Sequence, residues 1–133
     1  MRYLLDTNAV IALLKCSVSP IARRVRQHDP VSVLFSSIVT HELYFGAFKS
    51  SRVEDNLARL NALRFEVLPF DKEDSIAAGS IRAKLGMAGT PIGPFDTLIA
   101  GQAICRGLTL VTANMGEFSR VEGLLVEDWS GTA

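Results

Sequence analysis

The sequence lacks the features that mark exported, membrane-spanning or disulfide-rich proteins. It has two cysteines, Cys16 and Cys105, in 133 residues, and neither belongs to a spacing typical of zinc ligands or redox pairs. No apolar run approaches the roughly 18–20 residues of a membrane span, and no signal-peptide pattern opens the chain. We therefore expect a cytoplasmic protein without membrane contact, with both cysteines buried as small apolar side chains.

The chain also has no net charge, because 14 basic residues balance 14 acidic ones. The overall electrostatics therefore do not indicate a nucleic-acid partner, which would have to be attracted locally, for instance by a cation at clustered acids. The composition itself is ordinary for a globular protein, with 48% hydrophobic and 21% charged residues. Length and composition together predict one domain over residues 1–133.

Short apolar strands alternate with helices along the chain. The pattern predicts strands at 3–5, 31–35, 66–70, 108–111 and 124–126, and helices at 9–14, 21–28, 38–49, 52–63, 72–87 and 95–106. Such alternation is typical of βαβ units, so we expect an α/β fold with a mainly parallel central sheet of about four to five strands flanked by helices. In the helix at 72–87, the residues that we place inward are Ile76, Ala77, Ser80, Ile81 and Leu85.

Three acids lie where packing alone would not place them. Asp6 ends the first strand, while Glu42 and Asp96 each lie on an apolar face of a helix. Because ligands of open parallel sheets bind beyond the carboxyl ends of the strands, we expect the three carboxylates to meet there. Small residues around Gly101 would let the helix of Asp96 approach the sheet. Clustered carboxylates without paired histidines or cysteines favour Mg²⁺ or Mn²⁺ over zinc.

Each acid also has a purely structural explanation, as a helix cap, an arginine-paired acid or a residue favoured by the helix dipole. One shared site accounts for all three at once. Further polar residues could reach the same crevice or serve only in turns and caps, namely Asn8, Thr112, Asn114 and Glu117. His41 points about a quarter-turn away from Glu42, so we expect a surface or packing role for it.

Five motifs stand out along the chain: LLDTN at 4–8, VTHEL at 39–43, IGPFDTLIA at 92–100, GLTLVTANMGEF at 107–118 and VEDW at 126–129. Together they resemble PIN-domain ribonucleases of the VapC toxin type, over essentially the whole chain. The resemblance implies a Mg²⁺-dependent endoribonuclease that acts on RNA, in some members tRNA, as the toxin half of a bacterial toxin–antitoxin pair. It also implies inhibition by a VapB-like antitoxin, a homodimer, and higher assembly on DNA through the antitoxin. The apolar stripe of Val53, Leu57 and Leu60 could be dimer interface or core.

By the same resemblance, Asp6, Glu42 and Asp96 correspond to the family's catalytic and metal-binding acids, and the fourth acidic position falls at Asn114. An asparagine is a neutral ligand, which leaves open whether Asn114 or Glu117 fills that position and whether one or two metal ions bind. A structure-specific DNA nuclease and a metal-binding PIN scaffold with weak activity remain alternatives. A phospho-acceptor receiver domain is disfavoured, because it requires paired acids after the first strand and a lysine after the last.

Overall fold

A five-stranded parallel sheet forms the centre of residues 1–131, the part of the chain that this computed structural model describes. Its strands are β1 (Tyr3–Leu5), β2 (Val33–Ser36), β3 (Glu66–Leu68), β4 (Thr109–Val111) and β5 (Val126–Glu127). They lie in the order β3-β2-β1-β4-β5, and each neighbouring pair is parallel. The predicted α/β fold with a parallel sheet is confirmed.

Helices connect and cover these strands. Within residues 1–131 they are α1 (Thr7–Lys15), α2 (Pro20–Arg26), α3 (Ser37–Lys49), α4 (Val53–Asn61), α5 (Lys72–Met87), α6 (Pro94–Cys105) and α7 (Met115–Phe118). None is long and apolar enough to cross a membrane. A 3-10 turn at Pro30–Ser32 precedes β2, so the strand predicted at 31–35 is wrong in its first two residues. The Asp29 side chain accepts a hydrogen bond from the Val31 backbone N–H and closes that turn.

The strand β1 lies in the middle of the sheet, so its carboxyl end is the centre of the carboxyl edge. All residues of β1, β2 and β4 are buried, which explains their continuous apolar sequences. Leu5 lies opposite Phe35 of β2 and Val111 of β4, so these three strands end within one residue of the same level. Three buried polar residues lie at this edge, Asp6 directly after β1, Thr112 directly after β4, and Ser36 as the last residue of β2.

Helix α6 is fixed against α5 by a partly buried ion pair and a close backbone contact. Asp74 is fully buried, and its two carboxylate oxygens accept hydrogen bonds from Arg106 Nε at 3.2 Å and Nη2 at 3.0 Å. A Cβ added to Gly101 would lie 2.6 Å from the backbone nitrogen of Ala78. At Gly101 the close approach is therefore toward α5, while the small residues Ala100 and Ala103 are fully buried in the core with the strands.

Two predictions about burial are wrong. Cys16 and Cys105 are exposed, because one caps the C-terminus of α1 and the other is the last residue of α6. Ile76 is 58% exposed and Ser80 is also exposed, although Ile81 and Leu85 are buried. The buried stripe of α5 consists of Asp74, Ala78, Ile81 and Leu85. At about 100° per residue, Ile76 lies almost opposite this stripe and therefore faces solvent.

An aromatic cluster packs the C-terminal segment against β1. Trp129 is 1% exposed and stacks on His28 with ring centroids 4.9 Å apart and planes 5° apart. Its ring also lies 4.9 Å from that of Tyr3, and its Nε1 donates a hydrogen bond to Glu127. This cluster fixes Asp128, the residue between Glu127 and Trp129, next to the carboxyl edge of the sheet.

We predict that Gly101→Ala destabilises the chain, because the new methyl group would meet the α5 backbone. Overpacking of this kind costs about 1–3 kcal/mol in the free energy of unfolding, measured by urea denaturation. Gly79→Ala is the matched control, since an added Cβ there meets nothing within 4 Å. The control should be neutral or stabilising by up to about 1 kcal/mol. Equal stability of both variants would contradict the close packing of α5 and α6.

Candidate active site

Asp6 follows β1 directly and is both a helix cap and a buried acid. It is 5% exposed, and its Oδ1 accepts a hydrogen bond from the Ala9 backbone N–H at 2.8 Å. Burial raises the pKa of Asp6, while hydrogen bonds from the Thr112 side chain and the Ala9 backbone oppose that rise. The nearby carboxylates of Glu42 and Asp128 raise the pKa further. Helix capping therefore explains the hydrogen bond from Ala9. It does not explain why the carboxylates of Glu42 and Asp128 lie near Asp6.

Glu42 lies in the second turn of α3 and is half-buried. Its Oε1 accepts a hydrogen bond from the Thr7 hydroxyl at 2.8 Å, which ties α3 to the start of α1 beside Asp6. Within residues 1–131 it forms no ion pair, so pairing with an arginine does not account for it. Thr7 was not predicted as a site residue, although its place between Asp6 and Asn8 was a usable signal.

Asp96 lies in the first turn of α6, which Pro94 begins. It is half-buried, and its pKa is raised from 3.8 to about 6. Burial is the largest cause, followed by repulsion from the carboxylates of Glu117, Asp6 and Glu42. The structure therefore brings the three predicted acids together and adds Glu117 to them.

Glu117 and Asn114 form one hydrogen-bonded unit at α7. Glu117 Oε1 accepts from the Gly93 backbone N–H at 2.7 Å, and its Oε2 accepts from the Asn114 side-chain amide. Asn114 is exposed and caps α7 by accepting from the Glu117 backbone N–H. Glu117 is therefore the residue of this pair whose carboxylate repels Asp96.

Of the other predicted polar residues, one lies within the site and one lies at its exposed edge. Thr112 is 1% exposed, accepts from the Asn114 backbone N–H at 2.9 Å, and hydrogen-bonds Asp6. Asn8 is exposed and lines, together with Thr112 and Asp128, a small cavity of about 50 Å³. Asp128 was missed by sequence reasoning, although it directly follows the last strand as Asp6 follows the first.

The donor set is chemically suited to a hard divalent cation, yet it is not a closed cage. A cation would relieve the repulsion among these carboxylates, whose oxygens are suitable ligands. Within residues 1–131, no three acidic, histidine or cysteine side chains converge closely enough to enclose an ion. Several of the carboxylates are instead oriented by their own hydrogen-bond donors. Mg²⁺ commonly takes one or two carboxylates, keeps several waters and adds substrate phosphates, which suits this arrangement.

Comparison with known proteins agrees with this geometry. The PIN-domain family matches residues 3–124. The tRNA(fMet)-specific endonuclease VapC of Salmonella typhimurium is 42% identical over 131 residues, which are 97% of this chain and 98% of that protein. The chain belongs to the VapC ribonucleases of the PIN-domain family. The VapC endonuclease of Shigella flexneri is 41% identical, over 98% of this chain and 99% of that protein.

Solved structures of VapC proteins superpose closely on this chain. The toxin in the DNA-bound VapBC structure from Salmonella typhimurium gives a TM-score of 0.92 at 42% identity, with 97% and 98% of the two chains covered. VapBC-1 from nontypeable Haemophilus influenzae gives 0.88 at 35% identity, with 98% and 100% covered. The resemblance of the five motifs to VapC ribonucleases is thereby confirmed.

We predict that Asp96→Asn stabilises the chain at neutral pH. The pKa of Asp96 is higher in the folded chain than the ordinary 3.8, so the folded state loses stability as pH rises from about 4 to about 6. The variant should gain on the order of 1–2 kcal/mol at neutral pH, after allowance for solvent screening, and little near pH 4. Urea denaturation in EDTA at both pH values measures this.

The matched control is Glu54→Gln, which removes an exposed acid from the first turn of α4. It should not stabilise the chain at either pH, because the helix dipole favours an acid at that position. An Asp96→Asn variant no more stable than wild type at neutral pH would contradict repulsion at the sheet edge.

Proposed function

We propose that this VapC protein is a divalent-metal-dependent endoribonuclease whose catalytic acids are Asp6, Glu42 and Asp96. The observation that carries the proposal is the meeting of these acids and Glu117 at the carboxyl edge of the sheet, where burial and the neighbouring carboxylates together raise the pKa of Asp96 to about 6. Such repulsion is costly to the fold, and metal binding explains it. The names of the Salmonella and Shigella relatives support RNA as substrate, and a tRNA as the finer proposal.

We assign each of the three catalytic acids a role according to its contacts. Asp6 and Asp96 provide carboxylates that would hold Mg²⁺ or Mn²⁺, and Glu42 serves as a further ligand or as base for the attacking water. The Thr7 hydroxyl orients Glu42 for either role. When bound, the cation supplies positive charge at the phosphodiester and makes water a better nucleophile at neutral pH. Hydrolysis by water leaves a 5′-phosphate and a 3′-hydroxyl, so the ribose 2′-OH is not needed.

We assign supporting roles to the four accessory residues. Glu117 fills the fourth acidic position, because its carboxylate repels Asp96, and the Asn114 amide holds Glu117 in place. Thr112 orients Asp6 by a hydrogen bond. Asn8, which is exposed, is available to the RNA backbone. With the Glu117 carboxylate present, the site has enough negative charge to bind one divalent ion firmly and a second ion more weakly.

We further propose that the chain is the toxin of a pair with a VapB-like antitoxin, which carries the pair onto DNA. The matched Salmonella structure is a DNA-bound VapBC complex, and that from Rickettsia felis is bound to a promoter fragment. For the expected homodimer, Phe45 and Phe48 of α3 offer apolar surface, at 61% and 64% exposure. The stripe of Val53, Leu57 and Leu60 is half-buried, and Leu60 packs against the core. The domain bounds 1–133 and the cytoplasmic location stay predictions.

We predict that the purified chain cleaves RNA in Mg²⁺ or Mn²⁺, and that EDTA stops cleavage. Asp96→Asn should lower kcat by at least about a hundredfold while the variant stays folded, because a metal ligand is lost with little change in shape. Mass spectrometry of the products should show 5′-phosphate ends. Cleavage at full rate in EDTA with cyclic phosphate ends would contradict the mechanism. Equal cleavage of DNA would favour the DNA-nuclease alternative, and no cleavage of either would favour an inactive scaffold.

We predict that Glu117→Gln weakens Mn²⁺ binding roughly tenfold, because an acid of the cluster becomes neutral. Asn114→Asp should not tighten Mn²⁺ binding. The Asn114 amide donates a hydrogen bond to the Glu117 carboxylate, whereas an aspartate at this position would repel it. Titration calorimetry measures both, with the exposed acid Glu122 changed to Gln as control. Tighter binding by Asn114→Asp beside an unchanged Glu117→Gln would place the fourth ligand position at Asn114.

A further inference from the structure

Two aromatic side chains lie on the surface directly beside the proposed catalytic acids. His41 precedes Glu42 on α3, and Phe95 precedes Asp96 on α6. Their ring centroids are 5.5 Å apart, with the planes tilted by 58°. His41 is exposed, and Phe95 is 43% exposed. The pair therefore joins the two helices that carry Glu42 and Asp96, with ring surface open to solvent.

Packing of the core does not account for this exposed pair. Phe118, which belongs to the same side of the molecule through α7, is fully buried in the core. Phe95 leaves much of its apolar surface in water, where it loses the free energy that burial of an aromatic ring provides. An aromatic side chain with an uncovered ring next to a catalytic site is placed to contact the substrate.

The electrostatics of the site favour such a contact for RNA. The chain has no net charge, and the carboxylates around Asp96 repel phosphates until a cation is bound. Contacts that do not depend on phosphate charge would therefore add to the affinity for RNA at this edge. Unpaired nucleobases stack on Phe, Tyr, Trp and His rings, and this stacking depends little on base identity.

We propose that His41 and Phe95 form a platform on which one unpaired nucleobase stacks beside the scissile phosphate. The proposal rests on the proposed ribonuclease function and adds how the substrate is held. A base paired within a duplex is covered on both faces by its neighbours, so the platform favours cleavage in single-stranded segments. His41 and Phe95 are then substrate-binding residues, and neither takes part in the chemistry.

The first test uses Phe95→Trp as a fluorescent reporter of stacking. The only native tryptophan, Trp129, is 1% exposed and should respond little to RNA. Titration with a short single-stranded RNA in Mg²⁺, in an Asp96→Asn background where cleavage is slow and the repulsion is lowered, should strongly quench the fluorescence of the introduced tryptophan. An abasic ribose-phosphate chain of the same length should not quench it. Val31→Trp is the control, because Val31 is 67% exposed and lies in the turn before β2, at the end of that strand away from the acids, so its fluorescence should change little.

The second test separates stacking from packing by steady-state kinetics. Phe95→Leu keeps an apolar side chain but removes the ring, so KM for single-stranded RNA should rise roughly 5- to 100-fold with a smaller effect on kcat. Phe95→Tyr should restore the wild-type KM, and His41→Ala should raise KM in the same direction. Binding of Mn²⁺ should be unchanged in all three variants.

Three results would overturn the platform. They are an unchanged KM in both Phe95→Leu and His41→Ala, equal quenching by RNA and by the abasic chain, and loss of RNA binding that follows dissociation of a dimer in gel filtration. The last result would assign these rings to an interface between two copies of the chain. Any of them can occur while wild type still cleaves RNA, so the ribonuclease proposal would survive. A wild type that neither binds nor cleaves RNA would end both proposals.

Discussion

Repulsion among carboxylates at the carboxyl edge of the sheet is the constraint on which the rest of the structure depends. The parallel order β3-β2-β1-β4-β5 ends three buried strands at one level and leaves Asp6 at their centre. Helices α3 and α6 then bring Glu42 and Asp96 to the same edge, and the pKa of Asp96 rises to about 6. A fold selected for stability alone would not keep ionised groups so close together.

A rigid frame holds these charges in place despite the cost. The ion pair of Asp74 with Arg106 and the close contact at Gly101 fix α6, which carries Asp96. The hydrogen bond from Thr7 fixes Glu42. Such supporting contacts hold the carboxylates in position while leaving them short of a closed metal cage. In the function that we propose, the ion and the RNA phosphate would complete the site together.

Local sequence patterns predicted most of the secondary structure and the three central acids, because each acid lies at a strand end or on an apolar helix face. The helix at 72–87 was predicted with its observed bounds. Patterns along the chain could not show contacts between distant residues. The pairing of Asp74 with Arg106 and the hydrogen bond from the Gly93 backbone N–H to Glu117 both depend on tertiary structure. Asp128 was missed, although it follows a strand.

The central claim is that the acids at this edge exist to hold a divalent cation. Anomalous diffraction from crystals of the chain soaked in Mn²⁺ tests it most directly, because Mn²⁺ scatters anomalously and takes the oxygen ligands that suit Mg²⁺. We predict an anomalous peak within coordination distance of the carboxylates of Asp6 and Asp96. A chain that cleaves RNA in Mn²⁺, but whose crystals show the ion only at other acids, would contradict it.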